Sequence, residues 1–570
     1  MKQQSVRRIR IISTGIFLFA MVLVSRLYFL QIVSGDELAG RADRQYVQSS
    51  YDYFNRGSVF LTSKTGEKVS AATLKTGFIV ALNPKLIEDP EMLYNTLLPL
   101  ISIENREAFL EKAEKSDDTY EQIAQKIPKE IADEISALKI PGVSIYKQRW
   151  RYYPGNTLAA HTLGFIAYKE DELAGRYGLE RYYEDTLNRN NDSVFVNFFA
   201  EIFSNVESGV SDEKKLEGDI VTSIEPTVEA FLEEELRKIN EKWSSQYSGG
   251  IIINPMNGEI YAMAINPTFD PNSIGSAKNS DIFKNHLVES VYEMGSIIKP
   301  LTIAAGLDAG AITAKSTYFD AGFLTLNNKT ISNYDGRGRG LVSMQEVLNQ
   351  SLNTGAAFAV SAMGKGTFAK YMFDFGVAEE TGIDLPNETH GLVENLKSPR
   401  DIEYATASYG QGMALTPIET VRAMAALGNG GMLVNPHIVT KIDYSIGGGK
   451  KIVPNPSKQV LTKETSEEIT RMLVHVVDNA LLNGQAKIPN YSVAAKTGTA
   501  QVANPEGGGY YTDVFLHSFF GYFPAYNPQF LVFLYTFDPK EVKYASETLT
   551  VSFLDITKFL INYYEIPPDR

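Results

Sequence analysis

A serine followed three residues later by a lysine on a helix presents a hydroxyl and an amine on one face. If burial strips the lysine of part of its preference for charge, the amine can take the serine's proton and leave a nucleophile suited to acyl transfer. The chain has four such pairs, Ser136/Lys139, Ser144/Lys147, Ser211/Lys214 and Ser296/Lys299, so this spacing alone selects nothing. Lys-Thr-Gly is almost as common, at 64–66, 75–77 and 496–498, whereas Ser-x-Asn occurs once, at Ser351-Leu352-Asn353. Order and context discriminate. Only Ser296, Ser351 and Lys496 fall in the order S-x-x-K, S-x-N, K-T-G, separated by 55 and 145 residues. Ser296 opens a helix behind a glycine, Gly295-Ser296-Ile297-Ile298-Lys299-Pro300. The free N–H groups and dipole of a helix start favour developing negative charge. Lys496 ends the apolar run Tyr491–Ala495, as a strand bearing a reactive group does, and Gly498 lets a substrate backbone come close. The other three Ser/Lys pairs lie in polar windows and read as solvated surface.

The elements needed to position these residues can be read from apolar periodicity. Gly250–Asn254 and Glu259–Ile265 are extended apolar runs joined by Pro255-Met256-Asn257-Gly258, whose Asn-Gly pair signals a hairpin. Helices are predicted over 299–309, 343–362, 366–375, 416–427 and 548–562, and strands over 491–495, 515–523 and 529–537. Strands at both ends with helices between predict one sheet assembled from distant parts of the chain. The polar, turn-rich stretch Glu241–Gly250, after a helix of 227–239, marks a domain boundary. Upstream the text is mixed α+β. Helical periodicity runs through Leu93, Leu97, Leu98 and Ile101, then Ile123, Ile127, Ile131, Ile135 and Leu138, between extended pieces at Gly77–Leu82 and Val143–Tyr146.

Composition removes several kinds of chemistry. With no cysteine among 570 residues there can be no disulfide frame, thiolate metal site or cysteine nucleophile. Six histidines, none spaced four residues from another, make a histidine metal cage a poor reading. A net charge of −14 argues against nucleic acid as a partner. At the N-terminus Lys2, Arg7, Arg8 and Arg10 precede a mostly apolar stretch, 11–33, with no acid before Asp36. Its length of about 23 residues suffices to cross a bilayer. Arg26 lies where its stem can reach the interface, and no A-x-A site follows closely, which favours an uncleaved span over a cleaved signal. The basic flank places 1–10 in the cytoplasm and the rest of the chain outside.

The three motifs in order resemble those of the penicillin-binding protein transpeptidases, and the wider text resembles class B of that family, the membrane-anchored monofunctional kind. Asn254–Met263 is similar to the opening hairpin of the family's catalytic domain and Pro267–Asn272 to the turn after it. Ser408-Tyr409-Gly410-Gln411-Gly412 is similar to its glycine-rich loop, and His517-Ser518-Phe519-Phe520-Gly521 to the strand beside Lys-Thr-Gly. Arg151-Tyr152-Tyr153-Pro154, Gly164-Phe165 and Gly178–Tyr183 resemble the non-catalytic pedestal. Three places depart from the pattern. Arg56–Lys64 lacks the usual acidic turn, Asn188–Val206 replaces a glycine-rich piece, and Ser223-Ile224-Glu225 stands for Thr-Ile-Asp.

The resemblance implies an α+β multidomain chain: a cytoplasmic tail 1–10, a single transmembrane helix 11–33, an elongated pedestal of the dimerisation type 34–245, and a transpeptidase domain 246–570 with an antiparallel sheet flanked by helices. It implies a D,D-transpeptidase that cross-links peptidoglycan through a serine acyl-enzyme on D-Ala-D-Ala stem peptides and is acylated by β-lactams. Ser296 is then the nucleophile, Lys299 its base, Ser351 the proton relay and Lys496 a positive charge. Asn353, Thr497, Gly498 and Thr499 hold the substrate. Neither metal nor organic cofactor is required. Implied partners are the bacterial cytoplasmic membrane, a polytopic SEDS-family glycosyltransferase and other division or elongation proteins, and the modest pedestal favours the septal type. A D-Ala-D-Ala carboxypeptidase, a β-lactamase of the same fold and an inert division scaffold are the competing readings.

Overall fold

The computed structural model describes residues 21, 54–169, 172–189, 217–445, 448–455, 457–504 and 507–570. The expected span 11–33 lies outside them apart from Met21. No helix among the described residues is long and apolar enough to cross a membrane. The described chain divides into two compact units, one built from Lys75–Trp150 and the other from Arg56–Leu74, Arg151–Arg189 and the chain from 217 to Arg570.

In the smaller unit the end of strand Lys68–Leu82 turns Val80 and Leu82 inward and pairs antiparallel with strand Glu121–Ile127. Helices Pro90–Leu97, Arg106–Ala113 and Lys129–Ala137 close over them with Leu93, Leu97, Phe109 and Ile135. The first two start where side chains satisfy free N–H groups: Asp89 accepts from Met92 N at 2.9 Å and Asn105 from Ala108 N at 3.1 Å. One expectation is corrected here. Ile123 and Ile127 belong to a strand, not a helix. Their spacing of four fits both periods, and the partner strand decides between them.

The larger unit is organised on a five-stranded antiparallel sheet, in the order Ala494–Ala503, Tyr510–Phe523, Phe530–Phe537, Tyr247–Ile253, Ile260–Asn266. The hairpin before the helical stretch thus pairs with the last strand after it, Ile251 opposite Phe533, as the order of strands and helices predicts. Side chains alternate between two apolar layers. Ile252, Val532, Leu534 and Phe519 face helices Pro226–Trp243 and Thr550–Tyr563, while Ile251, Phe533 and Phe520 face the helical layer that contains Lys299–Asp308 and Pro417–Gly428. Being buried on both faces, these strands read as near-continuous apolar runs.

The single helix expected over 343–362 is two helices, Met344–Asn349 and Asn353–Met363. Between them Ser351 has left-handed backbone, φ +54°, which no periodicity of apolar residues reveals. Segments Arg56–Leu74 and Arg151–Arg189, assigned by sequence to the pedestal, pack in this same unit. Their centre is an ionic cluster shut off from water. Glu180 accepts from Arg56 Nε and Arg151 Nε, both at 2.6 Å, and from the Tyr153 hydroxyl at 3.2 Å. The two guanidiniums outweigh the burial penalty and hold the Glu180 carboxyl below its ordinary range.

Candidate active site

A 3₁₀ turn, Gly295–Ile298, runs into helix Lys299–Asp308, with Pro300 in the first turn where its missing N–H costs nothing. Ser296 and Lys299 therefore share one side of the helix start, and Lys299 Nζ donates to Ser296 Oγ at 2.9 Å. Lys299 is fully buried and reaches Ser351 twice, at the carbonyl oxygen (2.6 Å) and at Oγ (3.1 Å). The left-handed backbone of Ser351 is what turns both oxygens toward one amine. On the other side Lys496 Nζ, from the edge strand Ala494–Ala503, donates to Ser351 Oγ at 3.0 Å and to Thr497 O at 2.9 Å. A chain of hydroxyl and amine, Ser296–Lys299–Ser351–Lys496, runs through the site.

No carboxylate takes part in this chain, so only neutral oxygens offset the cost of charging either amine. Burial, with the neighbouring Lys496 as a second cause, pushes the Lys299 ammonium well below its ordinary range. Burial alone pushes Lys496 down to about 7. The depressed value suits Lys299 to act as a neutral base, while Lys496 changes charge near pH 7.

The site lies at one wall of a cleft of about 1090 Å³ lined by Ser296, Ser351, Asn353, Lys496, Thr497 and Thr499. Asn353 Nδ2 donates to Ser332 O at 2.8 Å, and the Thr499 hydroxyl accepts from Ala545 N at 3.1 Å. Gly498 does not line the cleft among the described residues. A Cβ there would lie 2.4 Å from Ser518 Oγ and 2.7 Å from Met294 O, so the close approach it permits is to the chain's own nucleophile turn. The other Ser/Lys pairs are elsewhere: Ser136 and Lys139 are exposed at the end of a helix, Ser144 and Lys147 lie on a strand where i and i+3 face opposite ways, and Ser211 and Lys214 lie outside the described residues.

Sequence reasoning missed the supports. The buried Asp320 carboxylate accepts from Thr354 Oγ1 at 2.8 Å and from Asn333 Nδ2 at 3.0 Å, tying the strands of 317–343 to the turn that carries Ser351 and Asn353. Asp320 is 34 residues from Thr354 and no local pattern marks it. Ser518 Oγ donates to Met294 O at 2.8 Å, fastening the nucleophile turn to the second strand of the sheet. The Tyr409 ring stands 6.0 Å from Lys299 Nζ. Among the described residues no cluster of His, Asp or Glu could hold a metal ion.

The arrangement is that of an active-serine acyl-transfer site, with a buried amine between two hydroxyls and a second amine beside an open strand edge. Residues 249–556 match the penicillin binding protein transpeptidase domain, and residues 61–219 match the penicillin-binding protein dimerisation domain. Stage V sporulation protein D of Bacillus subtilis is 30% identical over 535 residues, which cover 92% of this chain and 80% of the relative. Peptidoglycan D,D-transpeptidase FtsI of Escherichia coli is 25% identical over 549 residues, 93% of this chain and 87% of that protein. Among solved structures, penicillin binding protein 2X from Streptococcus thermophilus shares the fold with a TM-score of 0.73 at 19% identity, over 90% of this chain and 80% of that one. The chain belongs to the penicillin-binding protein family, in its class B form of dimerisation domain followed by transpeptidase domain.

Proposed function

We propose that the cluster performs peptidoglycan cross-linking as a serine-type D,D-transpeptidase, and that β-lactams acylate it at Ser296. The observation that carries the assignment of roles is the position of Lys299 Nζ, buried and within 3.1 Å of the hydroxyls of both Ser296 and Ser351. Ser296 Oγ attacks the carbonyl of the penultimate D-alanine while its proton passes to Lys299. Backbone N–H groups of Ser296 and Thr499 hold the oxyanion, each contributing about 3 kcal/mol. The bond to the terminal D-alanine breaks as Ser351 delivers a proton to the departing amine. Lys496 and the hydroxyls of Thr497 and Thr499 grip the terminal carboxylate, and Asn353 holds the peptide backbone. Lys299 re-protonates Ser351, and attack by an acceptor amine on the ester then forms the cross-link, the proton that amine gives up restoring Ser296 Oγ.

We assign 34–245 to the pedestal and 246–570 to the transpeptidase domain; the two domain matches, 61–219 and 249–556, support that order. Residues 11–33 anchor the chain once in the bacterial cytoplasmic membrane, with 1–10 inside and the catalytic domain outside. A septal role agrees with the name FtsI carried by several relatives, and a polytopic SEDS-family glycosyltransferase is the partner that the family resemblance implies. The test of function is the lifetime of a fluorescent penicillin on the purified chain. Label that persists for many minutes supports a transpeptidase, rapid turnover indicates a lactamase, and no label indicates an inert scaffold.

The two lysines also predict a pH profile. The second-order acylation constant reports groups of the free enzyme. It falls as pH drops through the depressed value of Lys299, which then becomes protonated, and falls again above about 7 as Lys496 loses its charge. Arginine stays protonated throughout, so Lys496→Arg is expected to lose the alkaline limb and keep the acid one. Penicillin acylation measured on both sides of the Lys496 value and downward in pH until the acid limb is reached checks both limbs.

A further inference from the structure

Helix Pro226–Trp243 carries two inward carboxylates that the acyl-transfer chemistry does not use, Glu229 and Glu233, one helical turn apart. Glu229 is fully buried. Its Oε2 accepts from Met263 N of strand Ile260–Asn266 at 2.7 Å, while its Oε1, equally shut off from water, has no partner. Glu233 Oε1 accepts from Ala159 N at 2.8 Å. Ala159 is buried with left-handed backbone, φ +55°, a state that alanine keeps only where its surroundings impose it. Thr162 Oγ1 donates to Met263 O at 3.1 Å, so segment Ala159–Leu163 is fastened to both helix and strand.

A buried carboxylate ordinarily meets a cation. Among the described residues none acts on this pair. On the same helix Arg237 is held by Glu234 and Glu241, and Lys238 by Glu235. From the elements packed against it, His161 is bonded to Ile282 O, Tyr261 to Asn254 and Tyr563 to Glu225. Burial, with Glu233 as second cause, raises the Glu229 carboxyl well above its ordinary range, and burial raises Glu233 to about 7. The neutral acid is the form that fits. Protonated Glu229 keeps one oxygen for Met263 N and gains a hydrogen to donate from the other, toward the carboxyl one turn away.

We propose that Glu229 and Glu233 form a proton-linked clasp, which holds segment Ala159–Leu163 on the helix and strand while protonated and lets it open when its protons leave. The left-handed backbone of Ala159 favours opening once the clasp is charged. In the open segment Glu233 regains its ordinary value of 4.5. The closed form therefore binds more protons than the open one between there and about 7, and the segment, tightest in acid, loosens as pH rises. Each pH unit in that window raises the opening constant by up to about tenfold.

The test is hydrogen–deuterium exchange of the full chain between about pH 5 and 8, read by mass spectrometry on the peptide containing Ala159–Leu163 and divided by the intrinsic rate at each pH. The corrected exchange is expected to rise by about ten- to a hundredfold over that range. Helix Lys463–His475 serves as the control and keeps its protection. Glu233→Gln cannot ionise yet still offers an oxygen to Ala159 N, so its segment stays closed throughout. Glu229→Gln keeps an acceptor for Met263 N and gives Glu233 an amide hydrogen that eases its charge, so the rise becomes smaller. Wild-type exchange that does not change with pH overturns the proposal, as does an undiminished rise in Glu233→Gln or a rise that the control helix shares. A Glu233→Gln segment open at every pH overturns it too, since the charged carboxylate would then be the fastener. Should Glu233→Gln fail to fold, Glu229→Gln decides, and an unchanged rise there overturns the clasp.

Discussion

Lys299→Arg is expected to lose penicillin acylation nearly as completely as Ser296→Ala, whereas Lys496→Arg retains measurable acylation. Lys299 has to accept and return a proton, and arginine does not deprotonate in a protein. It also sits fully buried among three acceptor contacts, Ser296 Oγ and both oxygens of Ser351, which a guanidinium cannot reproduce in the same volume. A positioned base is worth about 10² to 10⁴ in rate. Lys496 offers charge to a carboxylate, and arginine keeps that charge at altered geometry, for a loss of about 2 to 3 kcal/mol at most. The measurement is the second-order acylation constant of each variant with one penicillin, after circular dichroism shows the fold intact. Faster acylation of Lys299→Arg than of Lys496→Arg contradicts the division of labour.

The second large effect is expected at Gly410, one of the glycines of the loop Ser408–Gly412. Gly410 has φ +82°, and a Cβ there would stand 2.2 Å from the carbonyl oxygen of Gly295 and 2.7 Å from its nitrogen. The contact is backbone on backbone, so no side chain can swing away. Gly295 N also donates to Gly410 O at 3.1 Å, which ties the loop to the residue before the nucleophile. Gly410→Ala adds about 1 to 2 kcal/mol of left-handed strain to a clash that must displace Ser296. A misplacement of about 1 Å at a reacting atom costs about 10² in rate. Acylation is therefore expected to fall by at least that factor, with a lower Tm. Gly412→Ala makes a useful comparison, because its Cβ would meet the side-chain nitrogen of Asn395 at 2.3 Å, a group able to move. An acylation rate for Gly410→Ala within a few-fold of the wild type contradicts the role given to this contact.

The order of Ser296, Ser351 and Lys496 was legible because each sits in a local pattern, a glycine before a helix, a unique Ser-x-Asn and an apolar run before Lys-Thr-Gly. The sheet was legible because strands buried on both faces are continuous apolar runs, and the Asn257-Gly258 turn fixes the first hairpin. The break between Met344–Asn349 and Asn353–Met363 was not legible, since the residues on either side keep helical spacing while the left-handed backbone of Ser351, which aims its hydroxyl at Lys299 and Lys496, leaves no mark in the apolar pattern. Ile123 and Ile127 misled because a spacing of four satisfies both a helix and a strand. Asp320 was invisible because its partners, Asn333 and Thr354, come from separate elements. The demand at Gly498 was read as room for a substrate, whereas the crowding atoms belong to Ser518 and Met294.

The central claim is that Ser296, alone among the serines spaced three residues from a lysine, is the nucleophile, with Lys299 as its base. Peptide mapping by mass spectrometry after reaction with a penicillin tests it most directly. One penicilloyl adduct is expected, on the peptide containing Ser296, absent from Ser296→Ala and unchanged in Ser136→Ala, Ser144→Ala and Ser211→Ala. An adduct on any other residue of the wild-type chain, or label remaining on Ser296→Ala, would contradict it.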